Sequence, residues 1–390
     1  MYGSIHVGTI RGIPLRISAT WLIVFVLFLW SFAASYYPDR YHGWTSQAYF
    51  AAALTTVVLF FASIVLHELG HATIAARSGI HTRSITLLPI GGVAEIEREA
   101  RKPSEEFAIA IAGPVASLLL GGIFLGLHYL IRPINEPIGA ITAYLGIANL
   151  FLAIFNLVPG FPMDGGRVLR AIVWGATKSY GRGTRVAASV GSLVAYVFIF
   201  FGITLAFRGE IANGVILAFI GWFILTNAQA SVQQLAIQRG LGDVTVAQVM
   251  NRAYPIVQGG ETLQQAVSET LLARNTRLAA VEQNGRFVGL LTSADLMPVP
   301  QAQWDTVRVE HVMVPVGRLA TVSPSDPALI ALQRMQSGDY NQLPVLEGGR
   351  MVGLLTRGDV LRFLQLRESL HVPPTGDDDT PPAAPEQVPQ

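Results

Sequence analysis

Six apolar stretches follow one another through the first 230 residues, and each is long enough to cross a lipid bilayer as a helix. Hydrophobic residues make up 51% of the chain and charged residues only 14%, against about 25% charged in soluble proteins. The pattern predicts an α-helical multi-pass membrane domain with about six transmembrane helices over residues 1–240. The stretches lie at 18–36, 50–76, 105–131, 138–159, 187–207 and 212–230.

Residues 79–99, directly after the second apolar stretch, do not have a helical pattern. Residues 82–88 are rich in β-branched side chains, Pro89 interrupts them, and Gly91-Gly92 can turn the chain into a second extended segment. We expect a short β-hairpin or re-entrant loop, because non-helical backbone near a membrane is tolerated where it lines a cavity. An ordinary cytoplasmic loop is the alternative that these residues leave open.

Positive charges are distributed unevenly among the segments that join the apolar stretches. They are concentrated before the first stretch, after the second and after the fourth, whereas the opposite loops carry only Arg40, Arg132 and Arg208. By the positive-inside rule, both termini of this multi-pass protein of the cell membrane are expected in the cytoplasm. An even number of spans agrees with that orientation.

The pattern changes after residue 240, where charge rises, apolar runs shorten and an internal repeat begins. The segment VAQVM at 246–250 recurs as VEHVM at 309–313, and FVGLLTSADL at 287–296 recurs as MVGLLTRGDV at 351–360. Two copies of a β-α-β-β-α unit predict one soluble α/β domain.

We place the first copy of this repeat at 241–303 and the second at 304–371. The remaining residues, 372–390, are rich in Pro and Asp and predict a disordered tail.

Two histidines and a glutamate lie at the end of the second apolar stretch, in the segment His67-Glu68-Leu69-Gly70-His71. An ionisable side chain at mid-bilayer costs about 2.5–3.5 kcal/mol on insertion scales, so these residues indicate a function. Residues i and i+4 share one helix face, which lets His67 and His71 bind one metal ion while Glu68 acts on a water. This is the zinc metalloprotease pattern. The alternative is a membrane ion transporter that uses the same groups as an ion path.

A catalytic zinc needs a third protein ligand and one open position. The chain has no cysteine, so that ligand has to be a histidine or a carboxylate. The best candidate is Asp164, which follows the fourth stretch in backbone loosened by Pro159 and Pro162 and flanked by glycines. A turn that stops a helix at the membrane interface has the same residue types, and that alternative stays open.

The motif HELGH in an apolar helix, followed about 90 residues later by N-x-x-P-x-x-P-x-D-G-G-R, resembles the site-2 protease family of intramembrane zinc metalloproteases. The resemblance covers residues 45–175, and both motifs are complete. It implies that His67, His71 and Asp164 bind one zinc ion, that Glu68 is the catalytic base and that Asn156 lies in the active site.

The resemblance also implies the substrate, which is a membrane-embedded protein cut in or near its transmembrane helix during regulated intramembrane proteolysis. We expect a single-span protein, for example an anti-sigma factor or another regulator. An amide in an intact helix is shielded, so the substrate has to unwind locally. Residues 83–97 are hypothesised to pair with the unwound strand by β-addition.

The C-terminal repeat resembles a CBS-domain pair, as in one subgroup of that family. Many CBS pairs bind adenosine nucleotides, which makes Thr292, Asp295, Thr356 and Asp359 candidates for binding AMP, ADP or ATP. The alternative is that these residues are plain helix N-caps. A homodimer formed through the CBS pair is a further expectation, and no nucleic-acid partner is indicated.

Overall fold

The computed structural model describes residues 4–89, 91–338 and 340–370. These residues form two compact units, one reaching to Leu235 and the other beginning at Ala236. Each unit is described by itself. The tail predicted over 372–390 lies outside the described residues.

The first unit is a helical bundle with one small β-sheet. Its strands are β1 (Ser4–Ile10), β2 (Ile13–Ser18), β3 (Thr82–Leu88) and β4 (Gly91–Ile96). Its helices are α1 (Ala19–Ser31), α2 (Tyr37–Arg40), α3 (Ser46–Arg77), α4 (Pro103–Ile131), α5 (Glu136–Asn156), α6 (Asp164–Thr177), α7 (Tyr180–Phe207) and α8 (Ile211–Gly240), the last of which continues into the second unit.

Six helical segments in the described chain are long and apolar enough to cross a membrane. The prediction of about six transmembrane helices is therefore confirmed. Helix α6 is not one of them. The six segments are Ala19–Arg40, Ser46–Arg77, Pro103–Ile131, Glu136–Asn156, Tyr180–Phe207 and Ile211–Gly240.

The sheet has the strand order β1-β2-β3-β4. Strands β3 and β4 form the predicted hairpin, with Thr86 opposite Val93. Strand β2 pairs in parallel with β3, which places the N-terminal hairpin beside this pair. Within the described residues β4 pairs only with β3, so its other edge is free of strand partners.

The largest buried apolar cluster lies between α1, α3 and α5, and small residues let α4 pack closely against both α3 and α5. A Cβ added to Gly70 would lie 2.8 Å from the carbonyl oxygen of Ala112, so α3 and α4 are in backbone contact there. This close packing sets the relative position of the two helices directly beside His67 and His71.

The second unit is a repeated α/β structure with one four-stranded sheet, β5-β6-β7-β8, and one two-stranded sheet, β10-β9. Its strands are β5 (Ile256–Gln258), β6 (Leu278–Gln283), β7 (Arg286–Thr292), β8 (Val314–Pro315), β9 (Gln342–Glu347) and β10 (Arg350–Thr356). Its α-helices are α9 (Val246–Val249), α10 (Leu263–Gln265), α11 (Ser293–Leu296), α12 (Ala328–Ser337) and α13 (Arg357–Ser369). The β-hairpins β6-β7 and β9-β10 are equivalent parts of the predicted repeat.

Candidate active site

Three side chains from two distant parts of the chain meet inside the helical bundle. His67 and His71 lie one turn apart on α3, with their Nε2 atoms 3.2 Å from each other. The Oδ2 atom of Asp164, the first residue of α6, lies 3.1 Å from the Nε2 of His67 and 3.2 Å from that of His71. Among the described residues these three form a group able to hold a metal ion.

The other ring nitrogen of each histidine is held by α4. The Nδ1 of His71 lies 2.7 Å from the carbonyl oxygen of Ile109, and the Nδ1 of His67 lies 2.9 Å from the Oγ of Ser117. A carbonyl can only accept, so the Nδ1 of His71 carries the proton and its Nε2 presents a lone pair. The Ser117 hydroxyl can fix the same tautomer in His67.

Asp164 is buried beside the two imidazoles. Its Oδ2 atom faces the Nε2 atoms of both His67 and His71. Two imidazole nitrogens and one carboxylate oxygen that face each other form the kind of donor set that binds a catalytic zinc. The residues present therefore fit this metal.

Gly113 of α4 lies against the two histidines. A Cβ at this position would collide with the Nε2 atoms of both His67 and His71. Only a glycine leaves room for the rings, and for an ion between them, at this point of the helix.

Glu68 lies next to this group and faces β4. The backbone of Ala94 in this strand interacts with its carboxylate. A Cβ added to Gly92 would lie 2.6 Å from the Cγ of Glu68 and 2.9 Å from its Oε1. Strand β4 can therefore approach the carboxylate only because this residue is glycine.

A cleft of about 530 Å³ contains His67, Glu68, His71 and Asp164. One wall is β4, and another is formed by the end of α5. The residues that contribute from these two elements are Gly91, Gly92, Val93, Ala94, Ile96, Leu152, Phe155 and Asn156. The free edge of a strand and the candidate metal ligands thus share one cavity.

Asn156, predicted in the active site, is the last residue of α5 and lines this cleft. Its Nδ2 donates a hydrogen bond to the carbonyl oxygen of Leu152. Arg167, one turn after Asp164 in α6, also lines the cleft. Arg167 is the last residue of the motif N-x-x-P-x-x-P-x-D-G-G-R, and the sequence alone indicates no role for it.

Sequence reasoning also missed Ile109, Gly113 and Ser117. A Gly-Pro pair inside an apolar helix is a visible signal at Gly113, but in the sequence alone helix packing or a kink explains it equally well. No signal in the sequence distinguished Ser117, or the carbonyl of Ile109, from other positions of α4.

In the second unit, a separate pocket of about 670 Å³ is lined by residues that include Arg277, Thr292, Arg318, Tyr340 and Asn341. Of the four predicted nucleotide-binding residues, only Thr292 is among the residues that line it.

The two candidate aspartates of this unit accept hydrogen bonds inside capping boxes. The Oδ2 of Asp295 accepts from the backbone N–H and the hydroxyl of Thr292, at 2.8 and 2.7 Å. Asp359 and Thr356 form the same arrangement at 3.1 and 2.6 Å. All four residues therefore have the helix-capping role that was the alternative to nucleotide binding.

Comparison with known proteins agrees with this architecture. The sequence model of peptidase family M50 matches residues 55–138 and 131–205, and that of the CBS domain matches 246–300 and 309–366. A zinc metalloprotease of Synechocystis sp. is 32% identical, over 94% of this chain and 96% of that one. Zinc metalloprotease Rip3 of Mycobacterium tuberculosis is 31% identical over 96% of each chain. The solved site-2 protease of Methanocaldococcus jannaschii is 30% identical over 59% of this chain and 95% of that chain, with a TM-score of 0.42.

Fold and site together define a multi-pass membrane metalloprotease. The chain belongs to peptidase family M50, and it is a zinc metalloprotease of the site-2 type that carries a C-terminal pair of CBS domains. Membership of a peptidase family favours proteolysis over the ion-transporter alternative.

Proposed function

We propose that His67, His71 and Asp164 bind the catalytic zinc and that Glu68 is the general base of intramembrane proteolysis. The observation that carries this assignment is the convergence of the three ligand atoms to within 3.2 Å of one another. They converge in a cleft that also holds Glu68. Each role requires exactly the atom type that the residue offers.

The chemistry is peptide hydrolysis. When held by His67, His71 and Asp164, a zinc ion would supply a Lewis acid for the scissile carbonyl and the attacking water. Glu68 takes a proton from the water as its oxygen attacks the carbonyl carbon, and it gives this proton to the nitrogen as the C–N bond breaks. Strand β4 packs against the Glu68 carboxylate at Gly92 and so limits where that carboxylate can point.

The substrate is a single-span membrane protein, such as an anti-sigma factor or another regulator, whose helix unwinds locally in the cleft. The edge of β4 supports binding by β-addition, because no strand among the described residues pairs with it and β4 lines the same cleft as the candidate zinc ligands. Asn156 and Arg167 line the same cleft and can donate hydrogen bonds to substrate carbonyl oxygens.

Replacing Glu68 by Gln tests the assignment of the base. In proteoliposomes with a single-span reporter, we expect Glu68→Gln to retain zinc and to lose cleavage, since the amide cannot take up the proton. Glu210→Gln, between α7 and α8 and outside the cleft, is the matched control and should cleave normally. Unchanged cleavage by Glu68→Gln would overturn the proposal.

A proline scan of the reporter tests β-addition. Strand pairing uses the backbone N–H of every second residue, so inhibition by proline should alternate with a period of two along the segment at the scissile bond. A smooth dependence on position, without alternation, would show that the substrate does not pair with β4.

The arginine distribution supports a cytoplasmic location for both termini. Because the chain has no cysteine, single cysteines placed near each end report accessibility without background. Labelling of either one from the outside of intact cells by a membrane-impermeant maleimide would contradict this orientation.

We further propose that the CBS pair binds AMP, ADP or ATP in the pocket that contains Arg277 and Arg318. Two arginines suit the phosphates, and the ring of Tyr340 offers an apolar face to a base. Thr292 lines this pocket as well, whereas Asp295 is satisfied by its own cap.

Thermal shifts of the full-length protein with each nucleotide test this pocket. The double variant Arg277→Gln/Arg318→Gln should lose the shift, whereas the control Arg274→Gln/Arg350→Gln should keep it. If no nucleotide shifts the melting temperature of the wild type, the CBS pair is a docking or oligomerisation module. Formation of the expected homodimer is then its principal role.

A further inference from the structure

A second buried polar group lies outside the cleft, where α6, α4 and the beginning of α7 meet. It is centred on Arg170, whose side chain is only 12% exposed, and on Glu106, whose side chain is 2% exposed. Burying charges of this kind is costly unless they are paired. Neither residue is among those that line the cleft, so the proposed chemistry does not use them.

The guanidinium of Arg170 is held on several sides. Its Nε donates to the Oε1 of Glu106 at 2.6 Å, and its Nη2 makes an ion pair with the same oxygen. Its Nη1 donates to the hydroxyl oxygen of Tyr180 at 2.5 Å, and that hydroxyl donates to Glu99. The cation also lies over the ring of Phe161, 5.1 Å from its centroid.

The electrostatics of the group keep the arginine charged. Burial alone would lower the pKa of Arg170, but Glu106, Tyr180 and Glu99 hold that pKa above its ordinary value. The arginine of this ion pair between α6 and α4 therefore keeps its positive charge.

Helix α4 already supports the two histidines through Ile109 and Ser117. Glu106 lies on the same helix, one turn before Ile109. Asp164 is the first residue of α6, and its N-cap residue, Met163, makes no side-chain capping hydrogen bond. The ion pair of Arg170 with Glu106 therefore connects α6, which carries Asp164, to α4. Helix α4 in turn contacts the rings of both histidines.

We propose that Arg170 and Glu106 are positioning residues for the metal site, which fix α6 on α4 so that Asp164 reaches His67 and His71. This inference rests on the proposed role of Asp164 as a zinc ligand. Groups that orient metal ligands typically contribute about 10- to 100-fold in metal affinity. We expect a loss of that size when the pair is removed.

The test measures zinc affinity by chelator competition in the full-length protein, in the Glu68→Gln background so that activity plays no part. The absorption spectrum of the Co²⁺-substituted protein reports the ligand geometry, and the melting temperature is recorded for each variant. Arg170→Met alone leaves Glu106 buried without a counter-ion and can unfold the protein. The double variant Arg170→Met/Glu106→Leu removes both charges, and such apolar replacement is often neutral for stability.

We expect the double variant to melt near the parent while its zinc affinity falls about 10- to 100-fold and its Co²⁺ spectrum changes. Arg170→Lys should give a smaller loss, because lysine keeps the charge but not the planar fork. Tyr37→Phe, which removes the buried 2.5 Å hydrogen bond to Thr56 in the same unit, is the control. It should lower the melting temperature without changing zinc affinity.

Normal zinc affinity and an unchanged Co²⁺ spectrum in the double variant would overturn the inference and leave the pair with a structural role only. Asp164→Asn separates this outcome from failure of the proposed function. If Asp164→Asn binds zinc like the parent, Asp164 is not a ligand. In that case the proposed zinc site is wrong, whatever the role of Arg170 and Glu106.

Discussion

Replacing Gly113 by alanine should disable the metal site without unfolding α4, the helix to which Gly113 belongs. The new Cβ would lie 2.6 Å from the Nε2 of His67 and closer still to that of His71, whereas ordinary contacts begin at 3.4 Å. Alanine is the better helix former, so α4 itself has no reason to break. The imidazole rings, or α4 as a whole, have to move.

The size of the effect follows from what holds those rings. A shift of about 1 Å breaks the hydrogen bonds from Nδ1 to Ile109 and Ser117, each of which contributes about 0.5–1.5 kcal/mol. Loss of such outer hydrogen bonds lowers metal affinity by about 10- to 100-fold. Misplacement by about 1 Å also costs about 10²-fold in rate. We therefore expect Gly113→Ala to lose at least tenfold in zinc affinity and about 10²-fold in kcat/KM.

The assay is zinc affinity by chelator competition, together with cleavage of the single-span reporter and helix content by circular dichroism. Gly122→Ala is the matched control, because it lies in the same helix and its Cβ would meet nothing within 4 Å. Gly113→Ala with full zinc affinity and full activity would refute the packing described here.

Three further substitutions probe other walls of the site. Ser117→Ala should lower zinc affinity about tenfold, as measured by the same chelator competition. The control Ser231→Ala in α8 should bind zinc like the wild type. Equal zinc affinities of Ser117→Ala and the wild type would exclude a role for the Ser117 hydroxyl. Gly92→Ala should displace Glu68 and lower kcat about 10²-fold while the protein retains zinc. The control Gly126→Ala, with open space around its Cβ, should change neither zinc binding nor kcat. Loss of zinc from Gly92→Ala would mean that β4 supports the zinc ligands and not Glu68. Asn156→Ala should lower kcat/KM for the reporter without loss of zinc, and unchanged kinetics would remove it from the substrate site.

The parts of the site that sequence could predict are local or carry an unusual residue type. His67 and His71 follow from the helical period alone, and Glu68 follows from its place between them. Asp164 was found because a carboxylate between prolines and glycines is conspicuous after an apolar stretch. The six spans follow from hydropathy, because a membrane requires long uninterrupted apolar segments.

The contacts that the sequence could not predict depend on which face of a helix points into the bundle and on which distant segments pair. Helix α4 is apolar all round, so its pattern does not show that Ser117 and Ile109 face the histidines. The parallel pairing of β2 with β3 joins segments about 70 residues apart, and nothing in either segment specifies the other. The roles of Arg170 and Glu106 are equally hidden in the sequence, because charged side chains are usually exposed to solvent.

Helix α4 therefore has an importance that its composition conceals. It contributes no proposed zinc ligand, yet Glu106, Ile109, Gly113 and Ser117 recur at intervals of three or four residues and so lie on one face. Glu106 pairs with Arg170 of α6. Ile109 and Ser117 contact the histidine rings, and Gly113 leaves space for those rings. Rotation of α4 by a single residue, about 100°, would withdraw all four contacts together. The geometry of the candidate zinc site thus depends on a helix that contributes no proposed ligand, and Gly70 of α3 lets the backbone of that helix approach closely at Ala112.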